Sequence, residues 1–132
     1  MGLRIDIGSG FKNDDGLIRV DRDPRVNPDH IVDLEKDAFP FEDSSVEYIR
    51  AHHVLEHIGD GFFHLMKEMY RICENDAIVD IEVPYFRHCA FHNDPTHKRA
   101  ITNYVLGLFG KEFCEWTVEA FKSSPEIGRA HV

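Results

Sequence analysis

The sequence predicts an α/β fold in which a mostly parallel central sheet is flanked by helices. Five runs predict strands: Leu3–Ile7, Leu17–Asp21, His30–Leu34, Val46–Ala51 and Ala77–Tyr85. The first, second and last runs are rich in β-branched and other apolar residues, which is typical of strands buried on both faces. A helix is predicted from about Gly61 to Cys73, because apolar residues recur there at three- and four-residue spacing.

The connections around these elements are also predictable from local signals. Asp60 is the expected N-cap of the helix, and a shorter helical turn is expected over Val54–Ile58, stopped by Gly59. Only Gly8–Gly16 separates the first two strands, whereas a parallel crossover normally needs a dozen or more residues. We therefore expect a compact loop in place of the first crossover helix.

A glycine turn follows the first predicted strand and reads Asp-x-Gly-x-Gly over residues 6–10. Glycines after a buried strand let backbone amides approach a ligand closely. Asp21 ends the next strand, where a carboxylate can accept hydrogen bonds from two ribose hydroxyls. The pair predicts a pocket for a nucleoside-bearing cofactor, and an ordinary turn between two strands is the alternative. A dinucleotide fingerprint fits poorly, because Asn13 stands where its third glycine belongs and Asp21 comes too early.

Composition limits the partners of the chain. Its 132 residues are 42% hydrophobic and 30% charged, which suits one globular domain. The formal net charge of −9 repels phosphate backbones, so nucleic acid is not an expected partner. No run is long and apolar enough to cross a membrane. The three cysteines, Cys73, Cys89 and Cys114, form no Cys-x-x-Cys pair and indicate reduced thiols in a cytoplasmic protein.

Several motifs then follow in a characteristic order. They are Asp33-Leu34, Phe39-Pro40-Phe41, Asp43-Ser44-Ser45-Val46-Glu47-Tyr48-Ile49, His53-Val54-Leu55-Glu56-His57-Ile58, Met69-Tyr70-Arg71 and Ile81-Glu82-Val83-Pro84-Tyr85. Together with the glycine turn, this order resembles the class I S-adenosylmethionine (SAM)-dependent methyltransferases. The resemblance runs from Leu3 to about Thr102 and implies a Rossmann-like fold with SAM as cofactor.

The resemblance also implies roles for individual residues. Asp6, Gly8, Ser9 and Gly10 would surround the methionine end of SAM, Asp21 would bind the ribose, Asp33 and Leu34 would meet the adenine, and His52 would lie against the methionine and sulfonium. For each carboxylate the alternative is an acid in a solvated loop.

A second pattern, His53-x-x-Glu56-His57, points to metal chemistry. It satisfies the H-x-x-E-H signature of inverted zinc proteases, which makes a metal-dependent hydrolase one alternative function. Some O-methyltransferases carry E-x-x-E-H here and bind a divalent metal, and His53 replaces the first Glu of that motif. With His97 from the polar loop after the fifth strand, these residues are a candidate metal site for an acceptor hydroxyl. Alternatively, Glu56 and His57 only brace the loop.

The acceptor side is predicted from the same region. A hydroxyl acceptor needs a base or a metal to lower its pKa. His53, Tyr85 and His97 are the catalytic candidates, because they lie at or after strand ends on the cofactor edge. The predicted function is methyl transfer from SAM to a small polar acceptor, most simply at a hydroxyl. A SAM-binding paralogue without turnover is the other alternative.

The last seven residues carry a separate prediction. Residues 126–132 read Glu-Ile-Gly-Arg-Ala-His-Val, which matches the in-frame translation of a common sequencing adapter. We therefore expect a methyltransferase domain over 1–125 that is incomplete at its C-terminus, with its closing antiparallel pair of strands missing or incomplete. A genuine polar C-terminus is the alternative.

Overall fold

Seven strands form a single mixed sheet in the computed structural model, which describes residues 2–11, 16–84, 89–102, 115–117 and 129–131. The elements are β1 (Leu3–Ile7), β2 (Ile18–Asp21), β3 (His30–Ile31), β4 (Val46–His52), α1 (Phe62–Ile72), β5 (Cys73–Glu82), α2 (Cys89–His92), β6 (Glu115–Thr117) and β7 (Arg129–His131). Two 3-10 turns cover Pro24–Val26 and Leu55–His57.

The sheet has the order β3-β2-β1-β4-β5-β7-β6. Strands β1 to β5 pair in parallel, and β7 pairs antiparallel with both β5 and β6. This confirms the predicted Rossmann-like α/β fold. It also places the carboxyl ends of β1, β2 and β4 at one edge of the sheet, where open α/β folds bind their ligands. No helix in the described ranges has the length and apolar character needed to cross a membrane.

The third and fifth strands differ from their predicted bounds. β3 ends at Ile31 because the chain turns at Asp33, whose carbonyl accepts from Lys36 and Asp37 at 3.2 and 2.9 Å. β5 begins at Cys73, directly after α1, rather than at Ala77. Cys73 already pairs with Val46 of β4. The register then shifts, and regular pairing resumes at Tyr48 and Ile78.

The closing strands are present in short form, so only the expectation that they are missing altogether is wrong. β6 and β7 supply a short antiparallel pair, and β7 satisfies backbone groups of β5 over Ile78–Asp80. An open β5 edge would leave those amides and carbonyls unpaired, which explains why even three-residue strands add to it. Residues 129–131 lie in β7, and their origin in an adapter stays a prediction.

The strands of the sheet that were expected to be buried on both faces are fully buried on one face only. One face is apolar, and its buried side chains form one hydrophobic core with those of α1. The other face carries polar side chains: Asp6 and Arg50 pair at 2.6 Å, and the Tyr48 hydroxyl donates to Asp80 at 2.9 Å. Strand alternation produces this division, because residues two apart point to the same side.

Helix α1 confirms its prediction apart from the start. Its buried residues are Phe62, Leu65, Glu68, Met69 and Ile72. The N-cap is Gly61 rather than Asp60, and Gly61 makes no side-chain capping hydrogen bond. Instead Oε1 of Glu35, from a distant loop, accepts from the amides of Gly59 and Gly61, both at 3.0 Å. A carboxylate at this place satisfies free amides and opposes the helix dipole.

Candidate functional site

A cavity of about 640 Å³ lies at the carboxyl edge of the parallel strands. It is lined by Gly8, Asp21, Arg22, Asp33, Leu34, Glu35, His53, Val54, His57, Ile58, Pro95, Thr96 and Lys98. The volume is within the range of sites that bind small ligands. The wall combines acidic, basic and imidazole side chains with a few apolar ones, which suits a polar ligand with an apolar part.

The glycine turn contributes Gly8 to one wall of this cavity. Gly8 and Gly10 have positive φ values of 61° and 56°, a conformation that side chains with a Cβ rarely adopt. A Cβ on Gly8 would also lie 2.5 Å from Cγ2 of Val54, so two independent constraints favour glycine there. The amide of Gly8 donates to the carbonyl of Val20 at 2.8 Å, which ties the turn to β2.

The carboxylate of Asp21 is oriented by the backbone around it. Oδ2 accepts from the amide of Gly10 at 2.8 Å, and Oδ1 accepts from the amide of Asp23 at 2.9 Å. Each carboxylate oxygen can accept a further hydrogen bond. Asp21 therefore joins the glycine turn to β2 and still has acceptor capacity for two hydroxyl groups of a ligand.

The loop after β3 continues the acidic wall. Oδ1 of Asp33 accepts from the amide of Glu35 at 2.9 Å, and the amide of Asp33 donates to Asp37 at 2.8 Å. These bonds fix a tight turn that carries Leu34, which is 8% exposed, onto the cavity wall. An apolar side chain beside a carboxylate is suited to a flat heterocycle with an amino group.

Four predicted cofactor contacts do not line the cavity. Asp6 is 2% exposed and pairs with Arg50, and Ser9 is 3% exposed. Gly10 acts through its amide on Asp21. His52 lies on the polar face of the sheet, with its ring nitrogens 3.4 Å from oxygens of Asp80 and Glu82. The position of a residue in its own strand does not show whether its side chain will pair with a residue of a neighbouring strand.

A compact group of metal-ligand types stands next to the cavity. One ligand atom from each of Glu56, His57 and His97 lies within 4.8 Å of the other two. His53 is not in that group, so the structure brings together three of the four predicted ligands. His53 instead lines the cavity with a positive φ of 58°, and its amide donates to the carbonyl of Glu82 at 2.8 Å.

Glu56 is the least ordinary member of this group. It is 1% exposed, and within the described part of the chain neither carboxylate oxygen has a hydrogen-bond partner. Its Oε1 lies 3.4 Å from Nε2 of His57. Burial raises the pKa of the Glu56 carboxyl, and the neighbouring histidines oppose that rise only in part. A buried carboxylate without partners is costly, so a cation or a proton is expected on it.

The loop over residues 94–98 closes this side of the cavity. Nδ1 of His57 lies 3.2 Å from the carbonyl of Thr96 and 3.0 Å from its hydroxyl. That hydroxyl donates to Oδ1 of Asp94 at 2.6 Å. Hydrogen bonds from Thr96 hold the pKa of Asp94 below its usual value, so Asp94 is charged at neutral pH.

Residue-level prediction missed part of the cavity wall. Glu35 and Lys98 line it. Glu35 could not be predicted from the sequence, because it accepts hydrogen bonds from amides 24 and 26 residues away. Pro95, Thr96 and Lys98 belong to the polar loop expected at the cofactor edge, in which the predicted catalytic and metal-binding residue is His97. The predicted catalytic residue Tyr85 lies outside the described residues.

Comparison with family models and with curated proteins finds no match. Solved structures do match. A SAM-dependent methyltransferase from Archaeoglobus fulgidus has a TM-score of 0.74 at 17% identity, over 99% of this chain and 87% of that one. A SAM-dependent methyltransferase from Thermotoga maritima, described as a possible histamine N-methyltransferase, has a TM-score of 0.73 at 12% identity, over 99% and 82%.

A third similar structure is the [4+2]-cyclase SpnF, with a TM-score of 0.62 at 16% identity, over 89% of this chain and 54% of that one. At such identities the likeness establishes the fold. Because a cyclase shares this fold with methyltransferases, the reaction has to be argued from the site.

Proposed function

We propose that this protein transfers a methyl group from SAM to a hydroxyl of a small polar acceptor. The observation that carries the proposal is the hydrogen bond between the Gly10 amide and the Asp21 carboxylate, which joins a glycine turn and an acidic strand end on one cavity wall. That combination suits a nucleoside ribose with a short charged chain beside it. The fold shared with SAM-dependent methyltransferases supports the same ligand.

The cavity residues divide into two groups in this proposal. Asp21 accepts from the ribose hydroxyls, Asp33 and Leu34 meet the adenine, and the backbone of Gly8 lies against the methionine portion. SAM supplies an activated methyl group on its sulfonium, so the protein has chiefly to align an acceptor and exclude water. His53, His57 and Thr96 form the remaining wall, where the acceptor hydroxyl is placed and gives its proton to the His53 imidazole.

The geometry argues against the hydrolase alternative. The H-x-x-E-H signature works when its histidines share one face of a regular helix. Here only Leu55–His57 is helical, as a single 3-10 turn, and His53 precedes it in a left-handed conformation. His53 therefore does not join the ligand atoms of Glu56 and His57.

Calorimetry with SAM and with its demethylated product tests the cofactor assignment. We expect saturable binding of both, because Asp21, Asp33 and Leu34 are assigned to the adenosyl part that the two compounds share. Methyl transfer from labelled SAM to a panel of hydroxyl, amine and thiol acceptors then tests the reaction. Absence of SAM binding overturns the proposal, and binding without transfer to any acceptor supports the paralogue without turnover.

We also propose a divalent metal at Glu56, His57 and His97. Two imidazoles and a carboxylate are an ordinary donor set for Zn²⁺ and for other divalent transition metals. Among the described residues, neither oxygen of the buried Glu56 carboxylate has a hydrogen-bond partner, which supports the proposal because a cation would satisfy both. When bound, the metal would lower the pKa of a coordinated hydroxyl. His57 belongs to both the metal group and the cavity wall, which places that chemistry beside the acceptor.

Metal analysis of chelator-treated and reloaded protein tests this second proposal. We expect one equivalent of a divalent metal, and in His97→Ala a loss of affinity larger than the roughly 10-fold to 100-fold typical of outer-shell changes, because one of three ligands is lost. His64→Ala is the matched control, since His64 contacts the carbonyl of Asp37 and takes no part in the group. Equal losses in both variants, or no stoichiometric uptake by the parent protein, would end the metal assignment.

A further inference from the structure

We infer that Asp94 and Thr96 are positioning residues that fix the His57 ring in its Nδ1–H form, so that the lone pair of Nε2 points at the Glu56 side of the site. The functional consequence of this ring form, that Nε2 serves as a metal ligand, rests on the proposed metal site. The assignment of the ring itself depends only on hydrogen bonds in the loop over residues 94–98 and on the position of His57.

Two contacts of Nδ1 agree on the location of the proton. The carbonyl oxygen of Thr96, 3.2 Å away, can only accept a hydrogen bond. The hydroxyl of Thr96, 3.0 Å away, has given its own hydrogen to Asp94, so toward His57 it also accepts. Nδ1 is therefore the donor in both contacts, and a neutral ring has its lone pair on Nε2.

Asp94 organises both histidines of the group with one carboxylate. Its Oδ1 accepts from the amide and the hydroxyl of Thr96 at 2.8 and 2.6 Å, which fixes the acceptor geometry toward His57. Its Oδ2 lies 3.5 Å from Nε2 of His97. The side chain of His97 is 8% exposed. A carboxylate behind ligand histidines in this way is a common outer-shell arrangement at metal sites.

The consequence lies on the other side of the ring. Nε2 of His57 faces Oε1 of Glu56 at 3.4 Å. With the ring neutral and Glu56 charged, both atoms are acceptors and no hydrogen lies between them. Such a contact is unfavourable unless a cation or a proton lies between the two lone pairs. The Thr96 and Asp94 contacts thus prepare His57 as a ligand and weaken its capacity to donate to Glu56.

Long-range ¹H–¹⁵N spectra of the histidine rings test the inference at pH 8, above the ordinary histidine pKa of about 6.5. We expect the Nδ1–H pattern for His57, assigned by its disappearance in His57→Gln. His64 is an internal reference for the opposite form, because its Nε2 contacts the carbonyl of Asp37 at 2.6 Å. An Nε2–H pattern or a doubly protonated ring for His57 in the parent protein overturns the inference.

Variants then separate positioning from a general structural role. We expect Asp94→Ala to mix the two ring forms of His57 and to weaken binding of added Zn²⁺ by roughly 10-fold to 100-fold. Asp94→Asn should restore much of the Nδ1–H form, because its amide oxygen can still accept from Thr96. SAM affinity should be unchanged in both variants, because Asp94 does not line the cavity. An unaltered His57 pattern in Asp94→Ala contradicts the role of Asp94.

The outcomes also distinguish this inference from the proposals beneath it. An Nδ1–H ring in a protein that takes up no metal supports the positioning by Thr96 and Asp94 while ending the metal assignment. Failure of SAM binding in the parent protein would overturn the cofactor assignment to Gly8 and Asp21. It would leave the assignment of the His57 ring unchanged, because these residues share no described hydrogen bond with Asp94.

Discussion

Asp21→Ala should weaken SAM binding by roughly 100-fold to 10,000-fold. Two hydrogen bonds from ribose hydroxyls to a charged acceptor contribute about 1.5–3 kcal/mol each, and about 1.4 kcal/mol corresponds to a factor of ten in affinity. The variant also removes the acceptor of the Gly10 amide, so the glycine turn loses its connection to the end of β2. Isothermal titration of SAM into parent and variant measures the difference directly.

Two controls make the Asp21 result interpretable. Asp21→Asn keeps the shape and one acceptor oxygen, so its loss should be smaller than that of the alanine variant. Asp29→Ala makes the same charge change at an aspartate that accepts one backbone amide, from Arg19 at 2.8 Å, and does not line the cavity. We expect SAM affinity to be unchanged there. Undiminished affinity in Asp21→Ala would falsify the assignment of the ribose site.

Gly61→Ala should destabilise the fold by about 3 kcal/mol or more, a large part of the roughly 5–15 kcal/mol typical of whole domains. A Cβ at this position would lie 2.2 Å from Cβ of Glu35 and 2.5 Å from both its Cα and its carbonyl oxygen. The nearest obstacles are backbone atoms and the first side-chain atom, which cannot rotate away. Relief therefore requires α1 to move from the loop after β3, with loss of the Glu35 hydrogen bonds.

Urea unfolding of two further glycine variants shows whether close packing is the cause. A Cβ on Gly59 would meet the flexible ends of Glu35 and Lys98 at 3.3–3.4 Å, so Gly59→Ala should cost less than about 1 kcal/mol. Gly10→Ala meets nothing within 4 Å but has a positive φ, so it reports backbone strain of about 1–2 kcal/mol. If Gly61→Ala is no worse than Gly59→Ala, Glu35 and α1 are not in contact as described.

Much of the fold was predictable because its signals are local. β1 has the predicted bounds, β2 and β4 agree within one residue, and α1 follows its three- and four-residue spacing. The strand boundaries that failed lie where distant partners decide them. β3 is short because Asp33 starts a turn, and β5 begins early because Cys73 finds Val46 across the sheet.

The candidate site divides in the same way. The glycine turn, Asp21 and the Glu56-His57 pair were predictable, because strand ends and short motifs place these residues through neighbours along the chain. The pairing of Asp6 with Arg50, 44 residues away, and the contact of Thr96 with His57, 39 residues away, became visible only in the folded chain. Such pairings depend on which strands and loops become neighbours in space. A hydrogen bond or ion pair acts over a few ångströms, whatever the distance along the chain.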